Sequence, residues 1–214
     1  MRVLVKSKSV KLSAIALALV VVALASAPAA HAALTATSQL SQQNTAGTLS
    51  TSIRDASNVV VASPSFSMGS VAVSTSTQTA TGTFGSNTQR ISVDNPGGAN
   101  AGWTLSLAAT GGTSATWTSG GNTYAFNGNT TTGQLTINPA AATLTAVTGT
   151  STGITKGTSS AFSGATPITL LNAASGSDDI WNGYITGVGV SQAIPASQPA
   201  GTYTFDLTQT VTSL

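Results

Sequence analysis

Acidic side chains would be the first source of general acid–base or metal chemistry in this chain. The 214-residue sequence contains five Asp, no Glu, no Cys and a single His, His31. Asp178 and Asp179 are the only close pair, whereas glycoside hydrolysis needs two carboxyl groups about 5 to 9.5 Å apart around one bond. Neighbours in an extended chain point to opposite faces. We interpret the pair as a solvated turn, with a calcium site as the weaker alternative.

Other catalytic groups are equally scarce. Lys156 could in principle serve a Ser–Lys dyad, but a catalytic Lys needs burial to lower its pKa. It lies in a stretch rich in Gly, Thr and Ser, residues 149–164, which we predict to be a long surface loop. After residue 33 the chain has no Cys, His or Glu, which excludes thiol nucleophiles, His bases, zinc sites and disulfides. We therefore expect no enzyme, no cofactor and no metal site.

Positive charge is concentrated at the start of the chain. Four of the seven basic residues lie within the first eleven positions. From residue 33 onward only Arg54, Arg90 and Lys156 face the five Asp side chains, which leaves a net charge of −2. Nucleic-acid binding needs clustered cations, and three scattered ones do not supply them. Nucleic acid is therefore not expected as a partner.

Residues 1–32 have the layout of a secretory signal peptide. A basic start is followed by an apolar stretch from Ala14 to Ala25 and by the small-residue triplet Ala30-His31-Ala32. We predict cleavage between Ala32 and Ala33. An uncleaved anchor would need about 20 apolar residues to cross the hydrocarbon core, more than this stretch supplies. We expect a secreted protein that has no stable membrane anchor after cleavage and stays at the extracellular cell surface or wall through noncovalent contacts.

Residues 33–214 are predicted to form a single all-β domain. They contain 36 Thr and all 22 Gly. Thr suits a pleated, half-buried surface, and Gly favours turns. Alternation of apolar and polar residues indicates strands. The clearer ones are at 49–53, 71–84, 90–93, 103–107 and 203–211, and weaker ones are near 115–118, 134–138, 143–148, 168–171 and 184–190. About ten short strands predict an Ig-like or Greek-key β-sandwich.

Aromatic side chains are the remaining candidates for ligand contacts. Trp103 and Tyr203 lie in the strands with the clearest alternation, and we interpret them as core or core-edge residues. Others lie among Gly, Asn and Thr, where partly exposed rings with hydroxyl and amide neighbours would suit sugar rings. The candidates for binding are Trp117, Tyr124, Trp181 and Tyr184.

One segment resembles the first signature of the WxL domain, a cell-surface module of Gram-positive-type bacteria: Gly102-Trp103-Thr104-Leu105-Ser106-Leu107. The residues from Ile91 to Asn95, with the Gly turn after them, are similar to the segment that precedes this Trp in the family. The stretch from Gly183 to Val190, followed by Ala200 to Thr204, is similar to the closing stretch. The similarity covers roughly Phe66 to Leu214, so residues 33–214 are interpreted as one WxL-like domain.

The last strand departs from the family pattern. A second Trp-x-Leu ordinarily stands there, whereas this chain has Gln209-Thr210-Val211. The resemblance implies a secreted β-sandwich that associates noncovalently with peptidoglycan and often with sibling surface proteins. It also implies that Trp103 and Leu105 correspond to the Trp and the Leu of the family motif, in a binding or a structural role.

Two functions remain as hypotheses. The first is a noncatalytic bacterial surface protein that binds the cell wall, through peptidoglycan or another wall glycan, by means of its WxL-like domain. The alternative is a structural subunit of a surface fibre or coat that assembles by β-strand addition. In the alternative, residues Ala33–Asp55 are the candidate donor segment.

Overall fold

The computed structural model describes residues 37–98, 100–177 and 180–214. The predicted signal peptide, its cleavage site at Ala32 and Ala33, and the pair Asp178 and Asp179 lie outside the described residues. The chain divides into two compact units, Met1–Gln43 and Asn44–Leu214. In the first unit, residues 37–43 are exposed and contain neither helix nor strand. No helix in the described ranges is long and apolar enough to span a membrane.

The second unit is all-β, which confirms the predicted fold class. Its described residues form fourteen strands: β1 Ser50–Arg54, β2 Gln78–Phe84, β3 Arg90–Asn95, β4 Trp103–Ala109, β5 Thr116–Ser119, β6 Asn122–Ala125, β7 Gln134–Asn138, β8 Thr143–Thr148, β9 Ile154–Lys156, β10 Ser160–Ala161, β11 Ile168–Ala173, β12 Trp181–Thr186, β13 Val188–Ile194 and β14 Leu207–Ser213. Two three-residue 3₁₀ turns, Gly112–Ser114 and Pro139–Ala141, are interspersed.

The strands form three four-stranded sheets and one hairpin, with antiparallel pairing throughout. Sheet 1 has the order β1-β3-β12-β8, sheet 2 the order β10-β7-β13-β2, and sheet 3 the order β14-β4-β11-β9, while β5 and β6 form the hairpin. Three strands of sheet 2 are joined in sequence to three strands of sheet 1: β2 to β3, β13 to β12, and β7 to β8. These three pairs follow one another in the same order across both sheets. Sheets 1 and 2 are therefore two halves of one bent sheet, a common way to turn a corner in a sandwich.

One of the bends lies at Gly187, between β12 and β13. Its φ of 71° lies in the left-handed region that favours Gly. Its N–H donates to the carbonyl of Gly85, between β2 and β3, at 2.9 Å. The 3₁₀ turn Pro139–Ala141 makes the equivalent bend between β7 and β8. The sequence predicted one strand over 184–190, and this bend replaces it with two.

The core lies between the inner faces of the sheets. Trp103, Leu105 and Leu107 of β4 are fully buried, while the residues between them are only partly so. Trp181 of β12 meets Trp103 across the sandwich, with ring centroids 5.4 Å apart. Truncation of a fully buried aromatic side chain typically costs about 3–5 kcal/mol. This pair of indoles is therefore a strong contact between sheet 3 and sheet 1.

Residues 149–164 are not the surface loop that their composition predicts. They contain β9 and β10, and Ile154 and Phe162 are only 7% and 1% exposed. Phe162 packs edge-on against Phe126 at 5.2 Å. Two apolar side chains among many Gly, Ser and Thr are too few to produce a visible alternation, so the sequence prediction was wrong here.

Two other predicted strands are shorter than expected. Residues 71–77 form no strand, because Gly69 donates to the carbonyl of Thr81 at 2.7 Å and the chain then leaves the edge of β2. The last strand begins only at Leu207. Thr204 pairs instead with Thr118 of β5, and the chain returns to sheet 3 at Asp206, whose carbonyl accepts from the N–H of Thr110 at 3.0 Å.

Gly183 provides a test of the indole packing, because it lies beneath the ring of Trp181 in the middle of β12. A Cβ there would overlap the ring carbons Cζ2 and Cη2 of Trp181 and lie 2.5 Å from the carbonyl oxygen of Thr145. We expect Gly183→Ala to lower the free energy of unfolding by about 1–3 kcal/mol, because overpacking forces neighbours out of place. Equilibrium urea unfolding measures the change.

Gly121→Ala is the matched control for this experiment. Nothing lies within 4 Å of a Cβ built at Gly121, and its φ is not in the left-handed region. Its free energy of unfolding should change by no more than about 0.5 kcal/mol. Equal losses in the two variants would contradict the assigned packing of Trp181 on Gly183.

Candidate functional site

A cavity of about 580 Å³ lies between sheet 2, the hairpin β5-β6 and two irregular segments. Residues 65–74 form one wall, and residues from 194 to 204 form the other. The volume is within the range of small-molecule sites, about 300–1,000 Å³. No charged side chain is found among the described residues that line it. We name this site the hairpin cavity.

The floor of the hairpin cavity comes from paired positions of β2 and β13. Gln78 lies opposite Ile194, and Ala80 lies opposite Gln192. Because positions two apart on a strand share a face, all four side chains are directed to the same side of the sheet. All four line the cavity. The register therefore places two amides and two apolar groups beneath any bound molecule.

The aromatic side of the cavity is a row of packed rings. Trp117 and Tyr124 lie opposite each other in the hairpin, and their rings stack with centroids 6.0 Å apart. Tyr203 packs on Tyr124 at 5.0 Å. Phe205 stacks on Trp117 at 5.2 Å and packs on Phe126 of the core at 4.8 Å. Since Trp117 already stacks with two rings, the row holds the hairpin against the core and fixes one side of the cavity.

Gln192 sets the orientation of Trp117. It is a buried polar side chain, 1% exposed, and its Oε1 accepts a hydrogen bond from Trp117 Nε1 at 2.8 Å. Its Nε2 donates to the carbonyls of Ala125 and Ala193 at 3.3 and 2.6 Å. The donors and the acceptor of the amide are therefore satisfied within the protein, as burial requires. Gln192 is a positioning residue of the cavity.

Sequence analysis did not single out Gln192, although a signal was available. The inward positions of β13 read Val188, Val190, Gln192 and Ile194, so one Gln interrupts an apolar series. A buried amide usually has specific partners. Gln78, at the start of β2, has no comparable sequence signal, and only the register with β13 brings it to the cavity.

Several polar side chains of the cavity wall have no hydrogen-bond partner among the described residues. Two of them are the hydroxyl of Tyr124 and the side-chain amide of Gln78. Burial, with a smaller contribution from Tyr203, raises the pKa of Tyr124 to about 12. The hydroxyl therefore keeps its proton at neutral pH and can donate as well as accept. These two groups are available to a neutral ligand.

Tyr203 uses its hydroxyl to shape the opposite wall. Its oxygen accepts from Gln198 Nε2 at 2.8 Å, and its O–H donates to the carbonyl of Pro199 at 3.0 Å. These bonds close the turn that carries residues 198–203. Tyr203 was expected in the core or at its edge, and it is half-buried at the edge, with its ring in the cavity wall.

The structure separates the sequence candidates into three groups. Three of them are 0% exposed and belong to the core: Trp103, Leu105 and Trp181. These three cannot contact a ligand at the surface of this structure, and their role in it is packing. Trp117 and Tyr124 come together at the hairpin cavity. Tyr184 lies apart, on the outer face of sheet 1, where the guanidinium of Arg90 is 4.4 Å from its ring centroid.

Gln209, where the resemblance to the WxL pattern leads one to expect a second Trp, makes a polar contact between two sheets. On β14 it lies opposite Leu107, and its Nε2 donates to Thr51 Oγ1 of β1 at 2.9 Å. Its Oε1 is buried and has no partner in the described residues. Gln209 thus links the edges of sheet 3 and sheet 1.

The remaining catalytic and metal candidates do not form a site within the described ranges. No group of three or more His, Cys, Asp or Glu side chains is close enough there to hold a metal ion. Lys156 is exposed, and its Nζ donates to the carbonyls of Ala140 and Ala142 at 2.8 and 2.6 Å. In this structure Lys156 links β9 to the 3₁₀ turn between β7 and β8.

The raised pKa of Tyr124 predicts a pH dependence of stability. Between pH 10.0, the ordinary pKa of Tyr, and about 12, the folded protein keeps a proton that the unfolded chain loses. The stability that this group contributes is therefore complete below pH 10 and falls as the pH rises toward 12. Denaturant unfolding at several alkaline pH values should show a shallower loss in Tyr124→Phe. A curve of Tyr124→Phe that is unchanged from the wild type would contradict the assignment.

The hairpin cavity thus combines a fixed aromatic side, an apolar and amide floor, and two neutral hydrogen-bonding groups without protein partners. Such a lining can take an apolar ring face out of water and bond to hydroxyl or amide groups around it. Comparison of the chain with models of protein families, with curated proteins and with solved structures found no match.

Proposed function

We propose that this protein is a secreted, noncatalytic surface domain that holds a neutral stretch of bacterial cell-wall glycan, such as peptidoglycan, in the hairpin cavity. The observation that carries the proposal is the uncharged lining, in which the Tyr124 hydroxyl and the Gln78 amide have no protein partner. A sugar ring offers an apolar face and a rim of hydroxyl groups. Both features are matched by aromatic edges and neutral polar groups.

The apolar part of the wall favours a ring-shaped or chain-shaped ligand over a small polar solute. Met68, Val71 and Ile194 line the cavity together with the aromatic row. Val71 is 38% exposed, so apolar surface faces water when the cavity is empty. Covering such surface stabilises a complex by about 25 cal/mol per Å² before the costs of association are subtracted.

The position at the cell wall rests on two features of the sequence. They are the predicted signal peptide and the resemblance of roughly residues 66–214 to the WxL domain. Because Trp103 and Leu105 are buried, we place the glycan contact at the hairpin cavity rather than at the motif. The motif then supports binding indirectly, by holding sheet 3 against sheet 1.

Sedimentation with purified peptidoglycan tests this proposal. Ala72 is exposed and lines the cavity, so Ala72→Trp should fill the site without disturbing the core. We expect the variant to remain in the supernatant while the wild-type protein sediments. Ala161→Trp is the matched control, because Ala161 is exposed on β10 and does not line the cavity. Equal sedimentation of Ala72→Trp and wild type would contradict the proposal.

Salt provides an independent check on the same assay. A cavity without charged lining residues should hold its ligand almost equally at about 0.1 M and 1 M salt, although the Debye length falls from about 10 to 3 Å. Release of the protein by salt alone would show that another, charged surface holds it to the wall.

A second candidate function is a subunit of a surface fibre or coat, and the edge strand β8 favours it. No described strand pairs with its outer edge, its sequence Thr143–Thr148 has no charge, and Val147 is 62% exposed. Such an edge can accept a strand from another chain. The donor proposed over residues 33–55 is limited to positions before Ser50, because Ser50–Arg54 already pairs with β3 as β1.

Size-exclusion chromatography and electron microscopy of residues 33–214 test the fibre function. If β8 is the acceptor, Val147→Lys should reduce assembly, because a charge on an edge strand opposes pairing. Val73→Lys is the matched control, since Val73 is also 62% exposed but lies outside any strand. A monodisperse monomer at high concentration would remove this candidate.

A further inference from the structure

The outer face of sheet 1 carries a pair of arginines that the sequence does not reveal. Antiparallel pairing of β1 with β3 places Arg54 directly opposite Arg90. They are two of the three cations in residues 33–214. The sequence analysis treated these cations as scattered, and the strand pairing corrects that interpretation. We name this feature the arginine pair.

The arginine pair is not neutralised within the described part of the chain. Neither guanidinium forms an ion pair there. The nearest carboxylate in sequence, Asp55, accepts instead from the backbone N–H groups of Ser57 and Val59, both at 2.9 Å. Like charges directly opposite each other on a sheet are destabilising. A bound anion would relieve that repulsion.

Both guanidinium groups are held in place by the turn that follows β1. Arg54 donates from Nη1 to the carbonyl of Asn58 at 3.1 Å and from Nε to Ser52 Oγ at 2.9 Å. Arg90 donates from Nη1 to the carbonyl of Ala56 at 3.4 Å, in the same turn. Arg90 Nε is buried and has no partner among the described residues. Since each guanidinium has five N–H donors, several remain for a ligand.

Tyr184 completes this surface. Arg90 lies over its ring, 4.4 Å from the centroid, which restrains the guanidinium by a cation–π contact. Tyr184 lies opposite Ser92 on β3, and its side chain is half-exposed. Its hydroxyl has no hydrogen-bond partner among the described residues. A neutral donor is therefore available beside two fixed positive charges.

We propose that Arg54, Arg90 and the Tyr184 hydroxyl form a binding site for a single oxyanion, a phosphate or carboxylate group borne on an otherwise neutral polymer. Guanidinium groups match the planar geometry of both anions and can bind them with two parallel hydrogen bonds. The net charge of −2 over residues 33–214 repels a dense polyanion such as nucleic acid. A wall polymer with widely spaced anionic groups can bind the arginine pair through one group and is repelled less by the net negative charge.

The arginine pair is separate from the hairpin cavity. That cavity is lined by none of the three residues Arg54, Arg90 and Tyr184. Binding of an anion at sheet 1 therefore does not depend on the glycan proposal. An experiment can contradict either proposal and leave the other standing. Together, the two sites would give one domain both a salt-insensitive and a salt-sensitive contact with the same wall.

Isothermal titration of residues 33–214 with two probes of equal charge tests the arginine pair. One probe is a phosphodiester that joins two glycerols and the other is galacturonic acid as its methyl glycoside, so each carries one negative charge; the neutral methyl galactoside is the blank. We expect at least one charged probe to bind and high salt to abolish the binding. A preference for the first identifies a phosphate source, and a preference for the second a carboxylate source. Absence of binding by both would overturn the proposal.

Substitutions locate the binding. The double variant Arg54→Gln, Arg90→Gln should weaken binding by about tenfold or more, the loss expected for charge-assisted hydrogen bonds. Arg54→Gln alone keeps the test valid if the double variant does not fold, as judged by circular dichroism. Arg90→Lys keeps the charge but not the planar fork, and should also bind more weakly.

Two controls separate this site from the others. Lys156→Gln removes an equal charge on β9 and should leave binding unchanged, and so should Ala72→Trp in the hairpin cavity. Equal losses in Lys156→Gln and Arg54→Gln would overturn the proposal, because they would show attraction by overall charge. Failure of Ala72→Trp to affect peptidoglycan binding would count against the cavity alone.

Discussion

The fold depends on the contact between Trp103 and Trp181 across the sandwich. Their ring centroids are 5.4 Å apart, both side chains are completely buried, and each comes from a different sheet. Space for the second indole exists only because Gly183 follows it two positions later on β12. One glycine and two indoles thus fill the space between sheet 3 and sheet 1 at this point.

The bend at Gly187 divides this scaffold into two regions with different surfaces. On the β12 side, sheet 1 packs on the indoles and presents Tyr184 with the arginine pair on its outer face. On the β13 side, the same chain segment carries Gln192 into the hairpin cavity. The cavity exists because the end of sheet 2 is covered by the aromatic row and by irregular segments instead of another sheet. One chain segment, made of β12 and β13, therefore connects two chemically different surfaces, one neutral and one positively charged.

Alternation in the sequence was sufficient for the fold class and for many strands. The bounds predicted for 134–138 and 143–148 coincide with β7 and β8, and the alternating burial of β4 matches the pattern read from it. Alternation reports which side of a strand faces the core, so it does not report the partner strand. The pairing of Arg54 with Arg90 and of Gln78 with Ile194 therefore could not be read from the chain. The sequence also did not show whether the side chain of Trp181 is exposed. Its ring is buried because it packs against Trp103, which is distant in the sequence.

The placement of the three cations of residues 33–214 has a consequence for proteolysis. Arg54, Arg90 and Lys156 all lie within paired strands, β1, β3 and β9. Proteases that cleave after basic residues need the chain to leave its sheet and enter their active-site cleft in an extended form. The bond after Arg90 lies inside β3, which pairs with β1 on one side and β12 on the other, so it becomes accessible only when the sheet opens, and such openings are rarer than the motions of loops. The bonds after Arg54 and Lys156 lie at the ends of edge strands, so trypsin-like enzymes are expected to cleave there first.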